Sequence, residues 1–311
     1  MPRPTLHRTE HTLVIDAPAD ALYALVADVT LWPAVFEPTV AVHHLERTER
    51  TERFEIWALI ADRVAHWTSR RTLDPRRRLV SFRQEHSNPP FRSMTGAWLF
   101  RALPGGATEV VLRHRFALAD PTAEDLARAD KALEANSTRE LAALARAAGS
   151  GHPVGEVVFS FTDSVAVPGP VEQAYEFVER ADRWHTWLPH VSRVVLEEPS
   201  QGIQYLEMDT STADGAAHTT RSVRVCRAPH WIAYKQQLTP PLLAGHSGEW
   251  TFSTGPQGTV ATSRHTVALR PEAVPRVLGA HATLADARAH VRDALSHNSR
   301  TTLEHARTAA V

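Results

Sequence analysis

A predicted strand near residue 70 carries three side chains that could act together on one substrate. The segment HWTSRRTLDP spans His66–Pro75, and alternate residues of a strand share one face of a sheet. Trp67, Ser69 and Arg71 therefore point to the same side. This face suits an oxygen-rich organic chain, because an aromatic ring packs against a flat molecule and a guanidinium pairs with oxygen atoms or a developing enolate. The alternative is an exposed arginine beside a core tryptophan, and the adjacent Arg70 leaves the phase of the alternation open.

Three further aromatic or apolar residues are candidates for a binding cavity. Trp32 precedes Pro33 after a predicted helix, where it could close the mouth of a cavity or anchor the core. Met94 and Trp98 share one face of another predicted strand with Gly96. A glycine at such a place permits close approach of a ligand, although it more often eases packing or a bulge.

One histidine in each half of the chain occupies a position that matches the histidine of the other half. His114 and His265 both lie on the predicted last strand of their half. A histidine in a cavity could act as a general acid or base near neutral pH. A structural role is the alternative, and the recurrence of the histidine in both halves is also explained by common ancestry.

Other kinds of site find little support in the sequence. The chain contains 18 histidines but no HExxH motif and no Cys/His spacing of the zinc type, so we predict no metal site. The adjacent His43 and His44 are interpreted as surface positions. The chain contains no GxSxG motif, so the sequence does not support a hydrolase with a nucleophile elbow.

Composition narrows the class of protein further. The 311 residues suit two domains, 43% are hydrophobic and 22% charged, and the net charge of -1 argues against nucleic-acid binding. Cys226 is the only cysteine, so no internal disulfide forms, which suits a reducing compartment and predicts a cytoplasmic location. We find no signal peptide and no apolar run of membrane-spanning length, so no membrane association is expected.

The chain repeats itself at a period of about 150 residues. The segment Val14–Val29 pairs with Val165–Asp182, and GAWLF (Gly96–Phe100) pairs with GEWTF (Gly248–Phe252), which places Trp250 opposite Trp98. Trp32-Pro33 is matched with Trp187-Leu188-Pro189. Matched blocks in the same order indicate a duplication, with domains at 1–150 and 151–311 and a linker near Ala148–Glu156.

Each half reads as a strand, a short helix, several strands and a long helix. Strands are predicted at Phe54–Ile60, His66–Leu73, Leu79–Gln84, Met94–Leu103 and Glu109–Leu118, with a helix near Glu124–Ala147. The connections are too short for βαβ crossovers, so the strands form an antiparallel meander. The sequence therefore predicts an α+β fold in which a curved sheet wraps around a long C-terminal helix and leaves an interior cavity, the default place for a ligand.

The segments DVTLWPAVFEP, HWTSRRTLDP, FRQE and MTGAWLF resemble the aromatase/cyclase family of bacterial type II polyketide synthases. WHTWLPHV in the second half resembles the broader polyketide-cyclase and lipid-transfer superfamily. The resemblance covers nearly the whole chain and is strongest in the W-T-S-x-R stretch. It implies tandem helix-grip domains of the START/Bet v1-like type. It also implies an enzyme without cofactors that closes the first ring of a linear poly-β-ketone, in general between C7 and C12, and dehydrates that ring to an aromatic one.

The resemblance also implies roles for individual residues. Arg71 would hold or polarise a ketone oxygen with Ser69 beside it, and His114 falls near a catalytic histidine of some relatives. Removal of Arg71 is expected to abolish correct cyclisation and leave the fold intact. A functional tyrosine of one relative falls at Thr39 here, so the acid for ring closure stays open. Substrate-binding residues are expected in both halves: Trp32, Trp67, Met94, Trp98, Trp187, Arg221, Trp250 and His265.

The second half lacks W-T-S-x-R. Pairing HTTRSVRV with the first half without a gap places Arg221 opposite Ser69 and Val223 opposite Arg71. Arg221 either substitutes from a neighbouring position or the second half does something else.

Two hypotheses for the function follow. In the first, the chain acts on a poly-β-ketone delivered by an acyl carrier protein, alongside other synthase subunits. In the second, it is a non-catalytic carrier of a hydrophobic small molecule. The first predicts that several polar groups converge in the cavity, whereas the second predicts an almost wholly apolar lining.

Overall fold

The computed structural model describes residues 5–60, 63–85, 91–119, 121–189, 191–211, 217–255 and 258–309. The chain divides into two units, Met1–Val154 and Gly155–Val311. Each unit contains a seven-stranded antiparallel sheet and a long helix near its C-terminal end. The prediction of two antiparallel sheets with helices is confirmed. Within the described part of the chain, no helix is long and apolar enough to cross a membrane.

In the first unit, strand β1 (His7–Ile15) leads through Pro18 into helix α1 (Ala19–Ala27), and a one-turn 3-10 helix precedes the short helix α2 (Trp32–Val35). Six strands follow and form a meander: β2 (Thr39–Arg47), β3 (Thr51–Ile60), β4 (Arg63–Asp74), β5 (Leu79–Gln84), β6 (Phe91–Ala102) and β7 (Thr108–Leu118). Helix α3 (Ala123–Ala148) ends the unit.

The second unit repeats this order and has one additional short helix before its first strand and another before its long helix. Its helices are α4 (Val154–Val157), α5 (Val171–Glu179), α6 (Trp184–Trp187), α7 (Val274–Leu278) and α8 (Leu284–Ala309). Its strands are β8 (Val158–Val167), β9 (Val191–Ser200), β10 (Ile203–Ser211), β11 (Ala217–Arg227), β12 (Trp231–Leu238), β13 (Leu243–Gly255) and β14 (Gly258–Leu269).

The strand order is the same in both sheets. It runs β1-β7-β6-β5-β4-β3-β2 in the first unit and β8-β14-β13-β12-β11-β10-β9 in the second. The first strand of each unit therefore pairs with the last, and the remaining strands are joined to their sequence neighbours. Short turns make such a meander possible because antiparallel neighbours need no crossover.

Helix α3 covers one face of the first sheet. It begins with a capping box, in which the Thr122 hydroxyl accepts from the backbone N–H of Asp125 while the Asp125 carboxylate accepts from the backbone N–H of Thr122. Leu133, Leu141 and Leu144 are buried at helical spacing. The helix predicted at Glu124–Ala147 thus lies within one residue of the observed bounds.

A buried arginine ties the short helix α1 to the sheet of the first unit. The carbonyl oxygens at the C-terminal end of a helix have no partner inside the helix. Here Arg71 on β4 donates from Nη1 to the Val26 oxygen at 2.8 Å and from Nη2 to the Ala27 oxygen at 2.6 Å. Its Nε donates to Glu52 Oε1 on β3 at 2.6 Å. The guanidinium suits this place because it presents five donors in a planar fork.

The second unit uses the same device with a neutral partner. Arg224 on β11 donates to the carbonyl oxygens of Val178 and Glu179 at the end of α5, at 2.6 and 3.2 Å. It also donates to Gln204 Oε1 on β10, at 2.8 Å. Gln204 therefore takes the place that Glu52 has in the first unit.

This recurrence corrects two of the residue pairings made from the sequence. The counterpart of Arg71 is Arg224, not Val223, because Arg224 contacts Gln204 as Arg71 contacts Glu52, and the sequence separation between the partners is 20 in the second unit against 19 in the first. The counterpart of Trp32 is Trp184, not Trp187. Each of these two indoles donates to a carbonyl of the preceding helix, Trp32 to Val26 at 3.1 Å and Trp184 to Phe177 at 3.2 Å.

In each unit, a glycine on the next-to-last strand allows an aromatic ring to approach the backbone. These glycines are Gly96 on β6 and Gly248 on β13. A Cβ atom at Gly96 would lie 2.3 Å from the Phe82 ring and 2.4 Å from the Arg113 carbonyl oxygen. At Gly248 it would lie 2.5 Å from the Tyr234 ring. A side chain at either position would therefore displace its neighbours.

We expect Gly96→Ala to lower the free energy of unfolding by about 1–3 kcal/mol, because overpacking forces a ring or a strand to move. Equilibrium unfolding of the full chain in urea, followed by tryptophan fluorescence, measures this change. Gly155→Ala is the matched control, since a Cβ atom there meets nothing within 4 Å. Equal effects of the two substitutions would contradict the steric argument.

The arginine contacts predict a second difference in stability. Arg71→Ala leaves Glu52 charged, buried and without its cation, which costs about 3–5 kcal/mol. The expectation that the fold is untouched by this substitution does not fit these contacts. Glu52→Gln copies the arrangement of the second unit and should cost only about 1 kcal/mol. Urea unfolding measures both variants.

The matched control for Arg71→Ala is Arg221→Ala, which removes an exposed arginine from strand β11 and should change the unfolding free energy by no more than about 0.5 kcal/mol. An Arg71→Ala protein that unfolds at the same urea concentration as the unmodified chain would show that the buried arginine does not hold α1 to the sheet.

Candidate active site

The first unit contains a cavity of about 590 Å³ between its sheet and helix α3. Aromatic and aliphatic side chains form most of the wall, and polar groups from several elements reach into it. The polar lining residues are Thr39, Ser69, Arg71, Gln84, His114, Asp125, Arg128, Asn136, Ser137 and Glu140. The aromatic lining residues are Trp32, Phe54, Trp67, Phe82, Phe91 and Trp98.

The side chains first singled out on β4 lie on the cavity side of the sheet. Trp67, Ser69 and Arg71 all line the cavity, so the alternation has the phase that favours Arg71 over Arg70. Arg70 instead pairs with Glu85, at 3.0 Å from Nε to Oε1. Trp32, Met94 and Trp98 line the same cavity.

Arg71 enters the cavity wall with most of its donors already engaged. The side chain is 1% exposed, and its guanidinium lies 4.9 Å from the centre of the Trp32 ring and 5.4 Å from that of Phe54. Burial lowers its pKa, and the charge of Glu52 opposes that shift. Arg71 therefore meets the cavity as a fixed group, held by Glu52 and two helix carbonyls.

A histidine that the sequence placed on the surface belongs to this network. His44 on β2 is half-buried, and its Nε2 lies 2.9 Å from Oε2 of Glu52. Burial tends to raise the pKa of Glu52, but the contacts with His44 and Arg71 outweigh it and hold that pKa below its usual value. Glu52 thus connects a partly exposed histidine with the arginine of the cavity wall.

His114 on β7 is a buried group of the cavity wall. Burial, and secondarily the nearby His11, lower its pKa to about 4, so its imidazole is neutral at pH 7. The edge of the ring meets Phe82, with 5.7 Å between the ring centres. Its Nδ1 is buried and has no hydrogen-bond partner. A neutral imidazole in a cavity can accept a proton from a ligand.

Glu140 on helix α3 is a titratable group that sequence reasoning missed. It is half-buried and lines the cavity together with Asn136 and Ser137. Burial raises the pKa of its carboxyl group to about 7, although Arg139 acts in the opposite direction. Glu140 was missed because a glutamate near arginines on a helix is typical of a solvent-exposed face. The signal that could have found it is its spacing of four residues from Asn136 and three from Ser137, which places all three side chains on one side of the helix.

The cavity therefore has titratable groups on two different elements. His114 belongs to the sheet, whereas Glu140 belongs to the covering helix. Burial lowers the pKa of His114 to about 4 and raises the pKa of Glu140 to about 7. Between these two values the histidine is neutral and the glutamic acid is protonated, which is the pairing of a base with an acid.

The corresponding positions of the second unit hold a hydrogen-bonded cluster, which we call the polar cluster: Tyr234, His246, Ser263, His265 and Ser299. His265 Nδ1 lies 3.0 Å from His246 Nε2 and 3.2 Å from the Tyr234 hydroxyl. His265 Nε2 lies 2.5 Å from the Ser299 hydroxyl, which donates to the Leu295 carbonyl at 2.8 Å. Burial lowers the pKa of His265 to about 4.

Strand register shows which residues correspond between the two units. His114 lies opposite Gly96 and His265 lies opposite Gly248, while Phe82 and Tyr234 face these glycines on the next strand. His246 thus stands where the first unit has Met94, two residues before the glycine. Apolar groups of the cavity wall are replaced by groups that hydrogen-bond to His265.

The other residues proposed as ligand contacts in the second half have structural surroundings. Trp250 is buried in the hydrophobic core, and Trp187 stacks on Phe177 with 4.7 Å between ring centres. The Arg221 side chain is 62% exposed and pairs with Glu207 on the outer face. The proposal that Arg221 takes the place of the cavity arginine is therefore wrong, because Arg224 occupies that place.

Comparisons with known proteins agree with this architecture. The family described as polyketide cyclase/dehydrase and lipid transport matches residues 7–149 and again residues 158–305. The chain is 61% identical over 311 residues to the granaticin polyketide synthase bifunctional cyclase/dehydratase of Streptomyces violaceoruber, covering 100% of this chain and 96% of that protein. It is 51% identical over 320 residues to the actinorhodin polyketide synthase bifunctional cyclase/dehydratase of Streptomyces coelicolor. That match covers 100% of this chain and 99% of that protein.

Two solved structures are similar over the whole length. The di-domain ARO/CYC BexL from the BE-7585A biosynthetic pathway has a TM-score of 0.84 and 46% identity, with 98% of each chain covered. The di-domain ARO/CYC StfQ from the steffimycin biosynthetic pathway has a TM-score of 0.82 and 36% identity, with 96% of this chain and 97% of that chain covered. The repeated match and the full-length relatives show that the chain belongs to the polyketide cyclase/dehydrase and lipid transport family.

Proposed function

We propose that the chain is a polyketide cyclase/dehydratase of a type II synthase, which closes the first ring of a poly-β-ketone and removes water from it in the cavity of the first unit. The observation that carries this proposal is that a neutral His114 from the sheet and a protonated Glu140 from helix α3 line one largely apolar cavity. The names of the relatives support the same chemistry.

Ring closure needs a base and an acid in fixed places. His114 takes a proton from a methylene carbon between two ketones, and the electron pair left behind attacks a distant carbonyl carbon. Glu140 then gives a proton to the oxygen of that carbonyl. The C–H bond of the methylene, the O–H bond of Glu140 and the π bond of the carbonyl are broken, and an N–H bond on His114, a C–C bond and an O–H bond on the new ring are formed. Because protons between two ketones are already acidic, the step requires no cofactor.

Loss of water uses the same two groups after the His114 imidazolium has returned its proton to the Glu140 carboxylate, whose pKa is the higher of the two. A second proton leaves the carbon that faces His114 while the C–O bond breaks, and the departing hydroxide takes a proton from Glu140. The new double bond is the first step towards an aromatic ring. General acid–base catalysis of this kind contributes about 10²–10⁴ to the rate.

Arg71, Ser69 and the tryptophans position the chain. The fixed guanidinium of Arg71 provides positive charge near a ketone oxygen that becomes an enolate, and Ser69 lies two residues away on the same strand face. Trp32, Trp67 and Trp98 give flat walls that hold an extended chain and exclude water. Holding one methylene against one distant carbonyl is the larger part of the task.

Regiochemistry and partners belong to the same proposal. We propose closure between C7 and C12, delivery of the substrate on an acyl carrier protein, and work beside other synthase subunits in the cytoplasm. Two similar solved structures are described as di-domain ARO/CYC proteins, and the relatives are named as parts of polyketide synthases. A helix-grip arrangement, with α3 or α8 held by its sheet, is the frame for this chemistry.

A non-catalytic carrier is the alternative function. A carrier of a hydrophobic molecule would have an almost wholly apolar cavity. Here the sheet contributes Ser69, Arg71, Gln84 and His114, and the helix contributes Glu140. Polar groups that converge from two sides favour the enzyme.

Reconstitution tests the function directly. A minimal synthase and its carrier protein are supplied with the purified full chain, and the products are separated and identified. Closure at C7–C12 with loss of water is expected only when the chain is present. An unchanged mixture of spontaneous products in the presence of the folded chain would rule out the cyclase.

The pKa values predict the pH dependence of the rate. Activity should fall as pH rises through about 7, because Glu140 loses the proton that it must donate. It should also fall as pH drops through about 4, where His114 becomes protonated and ceases to be a base. Glu140→Gln should lower kcat about 100-fold and abolish the upper limb of the profile, as measured by product formation over a pH series.

Asp130→Asn is the matched control for this substitution, since Asp130 is an exposed acid on the same helix. We expect it to keep the rate and the profile of the unmodified chain. A Glu140→Gln protein that retains both the rate and the upper limb would remove Glu140 from the mechanism.

A further inference from the structure

Exposed arginines lie side by side on the outer face of the first sheet. Strand pairing places Arg8 on β1 directly opposite Arg115 on β7. Thr95 on β6 lies between Arg115 and Arg83 of β5. All three arginines are exposed, whereas His114, the neighbour of Arg115 in the chain, faces the cavity on the other side of the sheet. We call Arg8, Arg83 and Arg115 the arginine row.

The arginine row has no counter-charge within the part of the chain that the structure describes, where no carboxylate lies within ion-pair distance of it. Like charges placed directly opposite on neighbouring strands destabilise a sheet, and the arginines of β1 and β7 are such a pair. Other arginines of this face each have a carboxylate partner: Arg53 and Arg70 with Glu85, Arg101 with Glu109, and Arg113 with Glu10.

The second unit does without these charges at the matched positions. Ser160 and Thr266 stand opposite one another in place of the arginines of β1 and β7, and their hydroxyl oxygens lie 2.8 Å apart. Lys235, matched with the arginine of β5, is 6% exposed. The fold therefore does not require exposed arginines here, and they accompany the unit that contains the described cavity.

The arginine row lies near the end of the sheet where the cavity meets the surface. Two lining residues mark that end: Ile60, the last residue of β3, is 51% exposed, and the side chain of Arg128 on α3 is 67% exposed. Strands β3, β5 and β7 end on this side of the antiparallel sheet, and β1 begins there. Arg83 is the next-to-last residue of β5, and Arg8 is the second of β1. A flexible arm held beside the row can pass over this end and enter the cavity.

The charge and spacing of the arginine row fit an acidic helix. Guanidinium groups bind carboxylates and phosphates through paired hydrogen bonds. Neighbouring strands lie about 4.8 Å apart, so the row spans roughly 14 Å from β1 to β5. A helix laid across the strands repeats one face about every 5.4 Å. Acidic residues one turn apart on such a helix would therefore meet successive strands.

We propose that the arginine row is the docking face for the acyl carrier protein. An acidic helix of the carrier lies across β1, β7, β6 and β5, and the phosphopantetheine arm reaches over the end of the sheet into the cavity. This inference rests on the function proposed above and adds the surface that recognises the carrier. Because mobile ions screen exposed charges, the affinity for the carrier falls as the salt concentration rises.

Charge reversal tests the docking face. Arg8→Glu, Arg83→Glu and Arg115→Glu are combined in the full chain, which is titrated against a fluorescent carrier protein that bears phosphopantetheine without an acyl chain. The Kd from anisotropy should rise about tenfold or more, since opposed charges now repel. In the reconstituted system KM for the carrier-bound substrate should rise by a similar factor. The kcat at saturating carrier should stay the same, because the cavity is untouched.

The matched control reverses three exposed arginines at the opposite end of the same sheet. Arg47→Glu, Arg50→Glu and Arg76→Glu change the net charge equally and should leave Kd and KM as they are. Arg115→Glu alone removes a like-charge pair. It should therefore unfold at no lower urea concentration than the unmodified chain and still raise KM, which a merely structural arginine would not do.

The outcomes separate this inference from the proposed function. An unchanged Kd in the arginine-row variant, or an equal rise in the control variant, overturns the docking face while the cyclase stands. A fall in kcat with KM unchanged also overturns it, because the row would then act through the cavity. Tighter binding of a DNA duplex than of the carrier would replace the carrier with a nucleic acid. If carrier binding depends on the row but no cyclised product forms, the proposed function fails and the docking face remains.

Discussion

A buried arginine at the end of a short helix is the interaction on which each half of this chain depends. The last carbonyls of α1 and α5 accept hydrogen bonds from a buried guanidinium of the sheet, which supplies the donors that the end of a helix lacks. The short helix and the tryptophan that follows it are thereby fixed against the strands. In the first unit this contact also sets the position of the cavity wall, because Arg71 and Trp32 belong to both.

The two units share this frame but differ in what fills it. In the first, Phe82, Met94 and Leu112 surround His114 with groups that make no hydrogen bonds from their side chains, and a cavity lies beside them. In the second, the polar cluster connects the matching histidine with strands β12 and β13, with Ser263 on its own strand and with helix α8. Satisfied networks of this kind stabilise and specify a core. The sheet and long helix thus tolerate either an open or a hydrogen-bonded interior.

Alternation and repetition made much of the fold predictable from the sequence. The strand β5 has the predicted bounds and α3 differs by one residue, because amphipathic periods are local signals. The same period placed Trp67, Ser69 and Arg71 on one face, and the resemblance to the aromatase/cyclase family favoured that face over the face of Arg70. Arg224 was missed because the chain between Gln204 and Arg224 is one residue longer than the chain between Glu52 and Arg71, which pairing without a gap does not detect. Glu140 and the partners of His44 were missed because their roles depend on residues distant in the chain.

The ends of the two sheets have a consequence for the behaviour of the protein at high concentration. Strands β2 and β9 each form one edge of their sheet, at the opposite end from β1 and β8, and in the described residues only one strand pairs with each of them. A bare strand edge invites other chains to add to it. The exposed stretch of β9 carries Glu197, Glu198 and Pro199, and β2 ends in Glu46 and Arg47. Charge and a missing N–H at these edges oppose strand addition and the aggregation that would follow from it.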